Sequence, residues 1–383
     1  MQRATIILVP ALLITLGGMV GGCEKGADTI GSPAGGILLD KHPCQAIAVT
    51  YSDPATIDTS WSGGIKDFGF VRAKGIYHLL HITDPATSWI TRHGERAFGH
   101  ATSVDLVNWN THRRINLLTD AAGWSPSFTW APHVHYNRDD GLYYMFYTGV
   151  KWADGAPLSS AEQRVGLARS SDLFTWERYD ENGEDGLILD GPDHEEYPWS
   201  AYGTDGVDLP WEYDCRDPFV FDRGEDHGSM RYLMLNSVRL APDAQLMAIA
   251  CAISGDLVHW HWLYYFPVTA GEMSESPNLL ERDGVFYLFW TDRYDGPAVR
   301  VACSTSGIFG DYELINAGDR LFGSANETLA EVGRTLYLAF DNAFVLHIKR
   351  DLLLPEVSAP EARVRVVDFT QCDSEYLFRG LEP

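Results

Sequence analysis

The chain has 383 residues, 45% hydrophobic and 12% aromatic, and its 53 acidic residues against 29 basic ones leave a net charge of −24. That apolar content can fill a large core and excludes global disorder. The acidic balance excludes a nucleic-acid binder, which needs a dense basic face, and a polyanionic substrate, which such a surface repels. Six cysteines over this length are too few for a disulfide scaffold, so the composition points to a large acidic enzyme or binding protein acting on something neutral or cationic.

Arg3 opens an apolar stretch from Ala4 to Val20 that ends Gly21-Gly22-Cys23. A basic start, an apolar middle and small residues before a cleavage point describe an export signal. The ending resembles the bacterial lipobox, which implies a signal peptide over residues 1–22 and lipidation of Cys23. A plain secretory signal or a single membrane helix is the alternative, although the stretch is short for a stable span. Residues 24–45, with Gly-Ser-Pro-Ala-Gly-Gly at 31–36, read as a flexible tether behind the lipid. No later segment is apolar enough to span a membrane. The expectation is a soluble domain over residues 46–383 that touches a bacterial membrane only through its anchor, in the periplasm or at the cell surface.

Within that domain a turn residue followed by an aromatic-rich run recurs five times, at Gly75–His81, Gly141–Tyr147, Met230–Leu235, Gly284–Trp290 and Arg334–Phe340. Such runs are too short and too aromatic for helices and read as strands. A second pattern follows the first, as Ala101–Trp109, Ala168–Trp176 and Ala252–Trp260, with a degenerate copy at Ala302–Phe309. Its Ser-x-Asp-Leu core predicts a strand closing in a tight turn, with the aspartate bonding its own backbone. Five units of three or four strands, without an amphipathic helix between them, predict an all-β, five-bladed β-propeller. About 68 residues fall to each blade, and no length remains for a second domain. The alternating segment 362–369 is expected to close the ring by pairing with the first blade. Cys44 and Cys372, near the domain's ends, could pair, while Cys215, Cys251 and Cys303 stay unassigned, with buried thiols the ordinary reading.

The first strand of each propeller blade lines the central channel, so the residues upstream of each aromatic run are the candidates for chemistry. They are Gly64–Phe70 with Asp67, Thr129–His135, Asp214–Phe221 with Asp217, Ser274–Leu280 with Glu275, and Ser324–Leu329 with Glu327. Four of five inner strands thus carry an acidic residue at a comparable place. Carboxylates gathered in one cleft cost repulsion and desolvation and therefore imply a task. Glycoside hydrolysis needs such a group: one carboxyl protonates the leaving oxygen and another attacks or activates water. The structural alternatives are that Arg216 and Asp217 neutralise each other, or that the acids hold calcium, although their spacing matches no compact calcium loop. No metal and no cofactor is expected.

Taken together, these residues resemble the five-bladed propeller glycoside hydrolases, the superfamily of families 32, 68 and 43. Phe98–Trp109 is similar to the Trp-Gly-His-Ala segment of family 32, Arg216-Asp217-Pro218 to its Arg-Asp-Pro motif, and Ser274–Pro277 stands where that family has Glu-Cys-Pro. Trp130–Tyr136 looks more like family 43. The likeness is closest to a family 32 β-fructosidase lacking the C-terminal β-sandwich. It implies Asp67 as nucleophile or general base, Asp217 as the group holding sugar hydroxyls, and Glu275 as acid/base, kept protonated by burial and neighbouring carboxylates. Arg216 would orient Asp217 or bind a hydroxyl, and Trp130, His133 and His100 are candidate subsite walls or core residues. Lys66-Asp67-Phe68 departs from the family's Asn-Asp-Pro, leaving Asp53 or Asp58 as substitutes for the first carboxylate. The reading is an exported hydrolase of terminal furanosides, fructosyl or arabinosyl, acting on a neutral oligosaccharide. An inverting family 43-like arabinanase or xylosidase, or a non-catalytic glycan-binding propeller, is the alternative.

Overall fold

The computed structural model describes residues 46–50, 64–84, 95–104 and 110–314, with short breaks in the last range at 154–155, 181–182, 205–210, 243, 283 and 293–297, and strands at 335–340, 345–348 and 363–368. The expected signal and tether, Cys23, Cys44, Asp53, Asp58, Glu327 and Cys372 lie outside the described residues.

Strand β1 (Ala46–Thr50) comes first, and the next four, β2 (Gly64–Ala73), β3 (Ile76–Asp84), β4 (Phe98–Ser103) and β5 (Asn110–Thr111), form one antiparallel meander. A second sheet holds β6 (Phe128–Tyr136), β7 (Tyr143–Lys151) and β8 (Glu162–Ser170), with β9 (Glu177–Arg178) and β10 (Leu187–Leu189) both on the outer edge of β8. The third is β11 (Cys215–Asp222), β12 (Tyr232–Arg239), β13 (Met247–Ser254) and β14 (His261–Tyr265). The fourth is β15 (Ser274–Arg282), β16 (Val285–Asp292), β17 (Ala298–Ser304) and β18 (Glu313–Leu314). These four sheets are blades of an all-β propeller. The innermost strands stand side by side, β2 against β6, β6 against β11 and β11 against β15.

Strands β19 (Thr335–Phe340), β20 (Val345–Ile348) and β21 (Arg363–Asp368) share a further sheet with β1, in the order β1-β21-β19-β20. Here the expectation for segment 362–369 is corrected. Strand β21 does not add to the first blade; it runs antiparallel to β1 and parallel to β19. Its alternating sequence fits any open sheet edge, so alternation alone could not name the partner.

The five aromatic runs form the second strand of four blades and β19, and burial explains their composition. In Tyr143–Lys151 every residue from Tyr144 to Val150 is buried, because a blade packs against a neighbour on each face and neither face meets water. Three apolar clusters fill these inter-blade spaces. Leu80, Ile82 and Phe98 meet Trp124, Met145 and Tyr147 between the first and second blades. Phe146, Val165 and Leu167 meet Tyr232, Met234 and Trp260 between the second and third. Leu233, Leu235 and Ile249 meet Leu288 and Trp290 between the third and fourth. Gly149 shows how close the layers come, since a Cβ there would collide with the Trp124 ring.

The Ser-x-Asp-Leu turns are structural, as their chemistry predicts. Asp172 Oδ1 accepts from the backbone N–H groups of Phe174 and Thr175, both at 2.8 Å. Asp256 Oδ1 repeats this with Val258 at 2.9 Å and His259 at 2.8 Å. The indole N–H groups of Trp176 and Trp260 donate to the carbonyls of Leu173 and Leu257. These local bonds end the third strand and start the outer one. Of the unassigned cysteines, Cys215 and Cys251 are buried thiols, whereas Cys303 is disulfide-bonded.

Phe146 is fully buried between the second and third blades. Phe146→Ala is therefore expected to cost about 3–5 kcal/mol, from lost transfer energy plus a cavity. Urea unfolding checks this, and a loss below about 1 kcal/mol would contradict a close-packed interface there.

Candidate active site

Each innermost strand of the four blades breaks its hydrogen-bond ladder once, at an equivalent place. The register slips between Lys66 and Phe68 in β2, between Trp130 and His133 in β6, between Arg216 and Phe219 in β11, and between Glu275 and Asn278 in β15. A residue with left-handed φ sits in every slip: Asp67 (29°), Ala131 (45°), Asp217 (60°) and Ser276 (50°). In three strands the next residue is a proline, Pro132, Pro218 or Pro277, which has no N–H for the ladder and forces the break. Bulges re-aim side chains and collect beside active sites. Left-handed φ at a residue other than glycine costs about 1–3 kcal/mol and persists only where the surroundings hold it.

Two of the three expected acids are linked across β11 and β15 through Ser276. Asp217 and Glu275 are both almost wholly buried. Asp217 Oδ2 accepts from the Ser276 backbone N–H at 3.0 Å and from its hydroxyl at 3.4 Å, so the residue after Glu275 clasps Asp217. From the other side, the Asp217 N–H donates to Thr148 Oγ1 at 3.0 Å. Asp67 is fully buried and holds the corresponding bulge of β2, one strand beyond β6. Asp67 thus holds in β2 the bulge position that Asp217 holds in β11 and Ser276 in β15.

The hydrogen bonds of Arg216 do not go to Asp217, whose charge it feels without a direct bond. Its guanidinium reaches β15 and donates to Glu275 Oε1 from Nη2 at 2.7 Å and from Nε at 3.0 Å. The reason is geometric: successive strand residues point to opposite faces, and the bulge turns Asp217 further away. Behind Arg216, Asp214 Oδ2 accepts from Arg216 Nη1 at 2.8 Å and from Arg239 Nε at 2.9 Å. Gln163 ties the group together, donating from Nε2 to Asp214 Oδ1 at 2.6 Å and accepting from Arg216 Nη1 at 3.2 Å. Burial opposes the Arg216 cation, but Asp214, Glu275 and Asp217 outweigh it and raise its pKa well above the ordinary value.

The expected subsite walls are divided. His133 lies on β6 just past the bulge, its ring 4.7 Å from that of Phe219 on β11. Desolvation, helped by neighbouring His135, lowers its pKa to about 3, so it is neutral. Trp130 is buried, stacked on Phe128 at 5.9 Å, within the core between the first two blades. His100 does not join the carboxylates at all. It lies on β4, the third strand out, where its Nε2 is 3.1 Å from Nδ1 of His78, and the Phe174 ring packs on His78, His100 and His112. The described part of the Phe98–Trp109 segment, Phe98–Ser103, is thus a strand between layers, and residues 105–109 lie outside the described residues. Among the described residues no group of three His, Cys, Asp or Glu side chains is arranged to hold a metal ion.

Asp214, Gln163, Arg239 and Ser276 were missed by the sequence reading. Asp214 and Ser276 flank the recognised acids by one to three residues, and the prolines after the bulges were the signal for Ser276. Gln163 and Arg239 arrive from the third strand of the second blade and the second strand of the third, which no local pattern connects.

The model of "Glycosyl hydrolases family 43" matches residues 65–322, which include Asp67, Asp217 and Glu275. A fructan beta-fructosidase of Streptococcus mutans is 32% identical over 113 residues, 29% of this chain and only 7% of that protein's length. An inulosucrase from Halalkalicoccus jeotgali, solved bound to kestose, shares the fold with a TM-score of 0.52 and 18% identity, covering 75% of this chain and 76% of its own. An exo-beta-1,3-galactanase from Phanerochaete chrysosporium gives 0.52 and 15%, covering 85% and 65%. A Bombyx mori beta-fructofuranosidase is covered over about half its length, 52%.

The histidine cluster has a measurable consequence. Burial, with His112 and the other ring as further causes, lowers His78 to about 4 and His100 to about 3, from 6.5. The unfolded chain takes up these protons near pH 6.5 and the folded chain does not. Stability is therefore full above about 6.5 and falls as the pH drops toward 4. The melting temperature should decline from pH 7 to pH 5, and less steeply in His100→Gln; equal slopes would show that the cluster carries no such linkage.

Proposed function

The chain belongs to glycosyl hydrolases family 43, and from this premise we propose that it is an exported glycosidase that releases terminal furanose-type sugars, fructosyl or arabinosyl, from neutral oligosaccharides. The observation that supports the reading is the equivalent bulge on β2, β11 and β15, with Asp67 and Asp217 at its left-handed position and Glu275 one residue before that position, which is Ser276 in β15. Glu275 is the general acid. Arg216 fixes the Glu275 carboxyl with two hydrogen bonds to Oε1, and in this reading the carboxyl carries a proton when substrate binds. That proton passes to the leaving glycosidic oxygen. Asp217, held from both sides, accepts hydrogen bonds from sugar hydroxyls as positive charge develops on the ring. Asp67 attacks the anomeric carbon or takes a proton from the attacking water.

Fructosyl substrates are supported by the inulosucrase and fructosidase likenesses. Family 43 membership favours a second reading, an inverting arabinanase or xylosidase. The two differ in the first-formed anomer, because inversion needs carboxyl groups about 6.5–9.5 Å apart and retention about 5–5.5 Å. The ring itself is proposed to have five blades, with the sheet of β1, β19, β20 and β21 as the fifth; support comes from β20 lying against both β2 and β15. Export with a lipidated Cys23 rests on residues 1–23 and is consistent with the disulfide at Cys303, since such bonds persist in oxidising compartments.

The test is hydrolysis of a panel of fructans, arabinans and aryl glycosides. Wild type should release a monosaccharide, and Glu275→Gln should lower kcat/KM by about 10²–10⁴-fold. An unchanged rate in the variant overturns the acid assignment, and binding without release identifies a glycan-binding propeller instead. Proton NMR of the first product then separates inversion from retention.

A further inference from the structure

The ion network behind Glu275 is larger than positioning one acid requires, and its members come from three blades. Asp214, fully buried, precedes β11; Gln163 is on β8, Arg239 ends β12, and Glu275 is on β15. The Asp214 carboxylate accepts from three donors, Arg216 Nη1, Arg239 Nε and Gln163 Nε2. Arg216 is therefore held on one side by Asp214 and on the other by Glu275, and its third nitrogen-bound contact, Gln163 Oε1, is itself oriented by Asp214. Moving or neutralising Asp214 shifts where Arg216 sits and how much of its charge falls on Glu275.

We propose that Asp214 is a positioning residue for Glu275, that it acts through Arg216, and that Arg239 opposes it by sharing the Asp214 carboxylate. The proposal rests on the reading of Glu275 as the general acid. A general acid held by two guanidinium hydrogen bonds faces a conflict, because such bonds favour the ionised form. Asp214 answers the conflict by drawing the Arg216 charge backwards. Arg239 limits that effect, because its own cation competes for the same Oδ2. Among the described residues, the charged groups near Glu275 include Arg216 and Asp217 on β11, with Asp214 and Arg239 behind them; on its other flank, β16 and β17 carry the Asp292–Arg300 pair.

The two charge-removing substitutions should act in opposite directions. Asp214→Asn strengthens the pull of Arg216, so Glu275 loses its proton earlier on a rising pH scale. Arg239→Gln returns the full Asp214 charge to Arg216, so Glu275 holds its proton longer. Each shift should be about one to three pH units, the size of one unit charge removed at about 12 down to 4 Å with an effective dielectric of about 20.

The experiment titrates Glu275 by carboxyl carbon NMR in the whole chain, with its resonance assigned by its loss in Glu275→Gln. The titration is then repeated in Asp214→Asn, Arg239→Gln and Asp214→Glu. A lower midpoint in the first, a higher one in the second and a return toward wild type in the third support the proposal; midpoints that stay together, or move the same way, overturn it. If Asp214→Asn does not fold, Arg239→Gln alone decides, by the presence or absence of its upward shift. The alkaline limb of kcat/KM should follow the same order on any glycoside the wild type cleaves. Opposite NMR shifts in a protein that cleaves nothing would uphold the network and overturn only the hydrolase reading.

Discussion

Everything near the centre of this molecule follows from a conflict between two demands on the same strands. The innermost strand of a blade must pair with the strand outside it and pack against the neighbouring inner strands. It must also turn a polar side chain away from both. A regular strand offers only two directions, and both are occupied by inter-blade core. The bulge supplies a third direction, at the cost of a residue with left-handed φ. In β11 that cost is offset by specific bonds, with Thr148 receiving the Asp217 N–H and Ser276 donating to its carboxylate. The same device recurs at equivalent positions in four strands that are far apart in sequence.

The second organising element is electrostatic and follows from the first. A carboxylate turned into a dry interior needs partners, and the partners need partners in turn. Glu275 has Arg216, Arg216 has Asp214, and Asp214 has Arg239 and Gln163. Removing any one member unbalances the buried charges that remain, so the contacts hold one another in fixed positions. The network also joins the second, third and fourth blades at their inner edges, where apolar packing gives way to polar groups.

Much of this was legible in order along the chain, and what was not had a physical cause. The aromatic runs announced the second strands because a surface buried on both faces selects large apolar side chains, and Tyr143–Lys151 shows that selection directly. The Ser-x-Asp-Leu turns were legible because all their bonds are local, spanning two or three residues. Asp67, Asp217 and Glu275 stood out because acids are rare in strands of that kind. The direction of Arg216 was not legible, since adjacency to Asp217 suggested a pair while the pleat separates them. His100 misled for a related reason: its motif is a strand whose histidine packs among other rings between blades. The pairing of β21 could not be read from alternation, which specifies a face and not a neighbour.

The placement of the apolar clusters between blades carries a consequence for how the molecule holds together. No blade owns a core. Among the described residues the second and third sheets each contribute to two cores and complete neither, so either one excised would expose both of its apolar faces to water. Stability is thus a property of adjacent pairs, as in a linear repeat array, but a chain of such pairs bent into a ring removes the exposed ends. Loosening one seam then costs only that seam so long as the others keep the ring in register, whereas detaching any blade costs two at once. The molecule can yield at a joint without unravelling, and that tolerance lets its centre carry strained backbone and buried charge.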